Sequence, residues 1–102
     1  MNDVLIQAVD SYITALDSGV ASVHGAVDRT HYFERAAAAA DTRKALQDGD
    51  LGRAASILNQ ERRAIGWDWF AGEGGQAAHE AFLALERAVT QARLVGKPPA
   101  DF

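Results

Sequence analysis

The chain has 102 residues, 48% hydrophobic and 24% charged, with a formal net charge of −4 and no cysteine. That length suits one hydrophobic core and not two, and the apolar content argues against wholesale disorder. The missing cysteine excludes disulfides, thiol nucleophiles and cysteine metal sites, and the negative charge argues against nucleic acid or an anionic membrane as the main partner.

The first residues, Met1 to Tyr12, have neither the basic flank nor the unbroken apolar core of a secretion signal. No apolar run approaches the ~20 residues that span a bilayer, so the expectation is a cytoplasmic protein. Asn2 or Asp3 can cap a first helix over residues 3–28. Its seam reads Leu5, Val9, Tyr12, Leu16, Val20, Val23 and Val27, spaced by threes and fours. Gly19 is a weak point in it, costing ~1 kcal/mol relative to alanine, and the alternative is two short helices broken there.

After Val27 the seam loses phase, which predicts a bend near Arg29-Thr30 and a second helix over residues 31–47. In this helix Phe33, Ala37, Ala40 and Lys44 share a face, with Tyr32 and Leu46 off it. The run Ala36 to Ala40 makes a low-relief surface that another helix can approach closely. Asp48-Gly49-Asp50 then reads as a tight turn: Gly49 takes the left-handed conformation that ends one helix and Asp50 caps the next. The third helix, residues 51–65, places Leu51, Ala54, Ala55, Leu58 and Ile65 on one face. The segment Ala45 to Leu51, followed by Ala54 and Leu58, resembles the turns of tetratricopeptide units and small flagellar export chaperones. The resemblance covers about a quarter of the chain and implies a helical hairpin, with no site carried over.

Residues 66–75, Gly66-Trp67-Asp68-Trp69-Phe70-Ala71-Gly72-Glu73-Gly74-Gly75, are too rich in glycine for a regular element and form a loop. A last helix over residues 76–95 carries Ala78, Phe82, Leu85, Val89 and Ala92 on one side, and Gly96 with Pro98-Pro99 ends it. The fold expected is therefore all-α, a compact antiparallel bundle of about four helices in one domain, 1–96, with a short tail over 97–102.

Catalytic motifs are lacking: the serines sit in no nucleophile elbow, and the loop before the last helix has no lysine with Ser or Thr to make a phosphate cradle. His24, Asp28 and His31 fall at i, i+4 and i+7, which aligns them as metal ligands only if the helix runs straight through Thr30. The bend predicted there removes that alignment, so no metal and no cofactor is expected. Two features suit a protein partner instead. Trp67, Trp69 and Phe70 either fold back as a lid on the bundle or stand out as anchors. Asp3, Asp10 and Asp17 recur at sevens as an acidic stripe, either a solvated face or a dock for a basic partner.

The functional expectation is a non-enzymatic binding module: a small acidic inhibitor or immunity protein that neutralises a toxin or enzyme. A secretion chaperone or adaptor holding an amphipathic segment is the alternative, and a small metal-binding or enzymatic protein using His24, Asp28 and His31 is the third. An inhibitor should present a rigid polar patch and a chaperone an apolar groove. So much alanine makes a thin core, which a homodimer burying the alanine face of the second helix would thicken.

Overall fold

The computed structural model describes residues 2–65, 70, 72 and 74–95. Four helices hold almost all of them: α1 (Asn2–Ala21), α2 (Ala26–Gln47), α3 (Leu51–Ile65) and α4 (Gly75–Val95), with no strand among the described residues. α1 packs on α2 and α4, and α3 packs on the same two. Tyr12 meets Phe82 near the middle of α1 and α4, and Gly19 meets Gly74 at one end, so these two helices run in opposite directions. The expected all-α bundle is the fold found. The tail over 97–102 and the end of the last helix at Gly96 and Pro98-Pro99 lie outside the described residues.

The turn between α2 and α3 forms as its residues require. Gly49 sits at φ 75, where a side chain would be strained. Its N–H donates to the Leu46 carbonyl and that of Asp50 to the Ala45 carbonyl at 2.8 Å, the paired bonds of a Schellman ending. The Asp50 carboxylate then accepts from the Arg53 N–H at 3.0 Å, capping α3.

The turn between α1 and α2 lies earlier than the sequence suggests. α1 stops at Ala21 and not near Asp28, α2 begins at Ala26 and not at residue 31, and the bend falls at Ser22–Gly25 and not at Arg29-Thr30. Helix continues through Gly19 for two further residues, so the break is not at the glycine itself. Side chains supply the reason. The Ser22 hydroxyl donates to the Gly19 carbonyl at 2.7 Å, and Arg29 reaches back to donate to the carbonyls of Val20 and Val23 at 3.1 and 3.3 Å. These bonds satisfy carbonyls that the next helical turn would have used, and they place a cation at the negative end of the α1 dipole. Val23 is buried from the turn, while Val27, expected on the α1 seam, stands 70% exposed on α2.

Core residues follow the predicted seams on three helices. Leu5, Val9, Tyr12 and Leu16 of α1, Ala54, Leu58 and Ile65 of α3, and Ala78, Phe82, Leu85 and Val89 of α4 are all buried. α2 departs from its prediction. It buries Tyr32, Arg35, Ala39, Thr42, Ala45 and Leu46, whereas Phe33 is 56% exposed and Ala37, Ala40 and Lys44 face solvent. The helix is turned so that the residues expected off its seam are inside. Thr42 tolerates full burial because its hydroxyl donates to the Ala38 carbonyl at 2.8 Å.

Where α1 meets α4, glycine is a steric necessity. A Cβ on Gly19 would overlap the ring of Tyr32, and one on Gly74 would lie 2.9 Å from the Gly19 Cα. The Gly74 N–H also donates to the Ser22 hydroxyl at 3.4 Å, tying the entry of α4 to the turn after α1. This contact brings Phe70 over the end of the bundle, its ring centroid 5.6 Å from that of Tyr32 and 6.5 Å from that of His79.

Candidate functional site

The helical span of α1 places Asp3, Gln7, Asp10, Thr14 and Asp17 on one outward stripe, each about one helical turn from the next. Asp3 and Asp17 are exposed, and Asp10 is half-buried. Arg43 of α2 donates from Nε to Asp10 Oδ1 at 2.7 Å, so the middle carboxylate also holds α1 to α2. Gln7, Asp10, Ser11 and Thr14 line a shallow depression in this face.

The histidines do not gather. His24 is exposed in the turn, Asp28 lies in the first turn of α2, and His31 is half-buried one turn further on. The helix break between His24 and Asp28 removes the i, i+4, i+7 alignment. Among the described residues no three of His, Asp and Glu come close enough to share a metal ion. Of the aromatic trio, Phe70 is half-buried against Tyr32 and His79. Trp67 and Trp69 lie outside the described residues.

The charged group that sequence reasoning missed is inside. Arg35 Nε of α2 stands 2.7 Å from Glu61 Oε1 of α3, the two residues being only 9% and 8% exposed. Tyr12 of α1 is buried beside them, and among the described residues its hydroxyl has no hydrogen-bond partner. Burial pushes the Glu61 carboxyl above the usual carboxylate range. Arg35 pulls it back without cancelling the rise, and the charge of Glu34 adds to it. Burial likewise pushes the Tyr12 phenol well above its usual value, with the charge of Glu61 adding to the rise. A signal was present in the sequence. Ala54, Leu58, Glu61 and Ile65 follow the helical period, so a glutamate occupies a core position and requires a buried partner.

Between α3 and α4 runs an open groove of about 430 Å3. Leu58 and Val89 form its floor, and Ser56, Asn59, Thr90 and Arg93 its rim. Both floor residues are already buried, so the groove offers little apolar area. Beside it Arg62 grips Glu86 with two bonds of 2.7 Å, a bidentate clasp between the helices. No described helix is long and apolar enough to cross a membrane. Comparison with protein-family models, with curated proteins and with solved structures gives no match to this chain.

Proposed function

We propose that the chain is a non-enzymatic protein-binding module, an acidic inhibitor of the immunity type that docks on a basic surface of a toxin or enzyme. The observation that carries this reading is the outward stripe of α1, Asp3, Gln7, Asp10, Thr14 and Asp17, held on a continuous helix. At 1.5 Å per residue the stripe is about 21 Å long, within the span of a protein–protein contact. Its side chains are polar, and the Arg43 clasp on Asp10 fixes the middle of it in place. Such a surface attracts a basic partner, acting more on the rate of encounter than on final affinity. Phe70 packs against Tyr32, and the proposal takes Trp67 and Trp69 as its aromatic anchors.

The chaperone reading rests on the open groove of about 430 Å3 between α3 and α4. Its floor is closed by the core and its rim is polar, so an amphipathic segment would gain little there. The rigid polar face is the better supported surface.

Affinity capture from the native host's lysate, with the wild type and with Asp3→Asn/Asp17→Asn, tests the proposal. Both carboxylates are exposed, so the double variant should fold normally. The expected result is one basic protein captured by the wild type, with the variant associating about tenfold more slowly and with a weaker salt dependence. Equal capture by both, at a rate that salt leaves unchanged, contradicts the reading.

A further inference from the structure

We propose that the outward face of α2 is a self-association surface, on which a second copy of the chain packs antiparallel about Ala37 and Ala40. This surface lies on a different helix from the acidic stripe and does not depend on it.

α2 turns Tyr32, Arg35, Ala39 and Leu46 inward, so helical geometry sets Thr30, Phe33, Ala37, Ala40 and Lys44 on the opposite side, and all five are exposed. The outer side of a bundle helix is ordinarily polar. Here a phenylalanine stands 56% exposed, with the Arg29 guanidinium 5.7 Å from its ring centroid. The alanines beyond it let a second backbone approach to the near end of the 8–10 Å range of packed helices.

Charge selects the occupant. Centring two antiparallel copies between Ala38 and Ala39 sets Ala37 level with Ala40 of the second copy and Phe33 level with its Lys44. The apolar stem of Lys44 can then cover the ring. Glu34, the next residue, comes within reach of the same Lys44, and Arg29 falls level with Asp48 of the second copy. Lys44 lies in a cleft with Asp41, Asp48 and Arg53, so both signs are present at that end of the face. Each cation of the face thus meets an anion or a ring. A parallel arrangement would set Arg29, Glu34 and Lys44 each against its own copy, which like-charge repulsion disfavours. One helix face covers about half of the ~800 Å2 per partner of a standard interface, so the pair is weak and forms at roughly 10–100 µM.

Sedimentation equilibrium over a hundredfold range of concentration, up to about 1 mM, reads this directly. The wild type should shift from monomer to dimer, and Ala37→Glu should remain monomeric with unchanged helix content. Glu34→Lys and Lys44→Glu should each weaken the dimer about fivefold or more, and combining them should restore it. Because the chain has no cysteine, Ala40→Cys adds a geometric readout: mild oxidation should link two copies, whereas Ser11→Cys on α1 should not. A monomer throughout, or a dimer indifferent to Ala37→Glu, overturns the proposal. Neither result bears on the acidic face of α1.

Discussion

α4 and α2 are nearly equal in length, 21 and 22 residues, yet they meet the core in different ways. α4 buries Ala78, Phe82, Leu85 and Val89, and its inner side is apolar from end to end. α2 buries an arginine and a threonine among its apolar residues and turns a phenylalanine to solvent. The difference shows that neighbours decide which side of a weakly amphipathic helix faces inward. Burying a large side chain contributes about 1.5–3 kcal/mol. Turning α2 to cover Phe33 and two alanines would expose both Tyr32 and Leu46, a net loss. It would also draw Arg35 away from Glu61 and leave a buried carboxylate without its cation. Tyr32 is further held by Gly19 and Phe70, which leave a ring-sized place for it.

The strongest effects should come from the two inner faces. Phe82→Ala and Arg35→Ala should each destabilise by about 3–5 kcal/mol in a chemical melt, the first through a cavity, the second through an uncompensated buried charge. Values under about 1 kcal/mol for Arg35→Ala would mean that α2 is turned the other way. Gly19→Ala should cost about 1–3 kcal/mol, because the new methyl must displace the Tyr32 ring. A neutral result would place Tyr32 elsewhere.

Protonation of Glu61 gives a smaller effect with a definite sign. Its folded pKa is raised above the ordinary value of 4.5, so the folded protein holds this proton more tightly than the unfolded chain does. The resulting stabilisation is fully present below about pH 4.5 and is lost as pH rises through the folded value. Glu61→Gln removes the titration, so the wild type should gain stability relative to this variant as pH falls through that window. A difference that stays constant with pH would mean that Glu61 is not held in the core. Smallest of all, Phe33→Ala should change the stability of the dilute monomer by less than about 0.5 kcal/mol. A loss near that of Phe82→Ala would place Phe33 inside.

Most of the fold was legible because three helices carry single apolar seams and the Asp48-Gly49-Asp50 turn has specific chemistry. The turn at Ser22–Gly25 was not legible because its determinants act at a distance. Arg29 caps α1 from the following helix, and Ser22 binds the Gly74 N–H from across the bundle. Apolar phase was misleading as well, since Val20 and Val23 keep the period of α1 while Val23 is buried from the turn. Facing failed on α2 because its run of five alanines, Ala36 to Ala40, lends apolar character to both sides. Of the candidate site, the acidic stripe follows from spacing alone once α1 is helical. The Arg35–Glu61 pair needed one step more, a charge at a core position of α3 and a search for its partner.

The orientation of α2 rests on that pair, and a double-mutant cycle between Arg35→Ala and Glu61→Ala measures it most directly. Each single variant should be strongly destabilised, and the double variant should lose at least about 1.5 kcal/mol less than the two losses added together, because removing both charges leaves neither stranded. Small, additive losses would contradict a buried contact between these side chains, and with it the outward face assigned to Phe33.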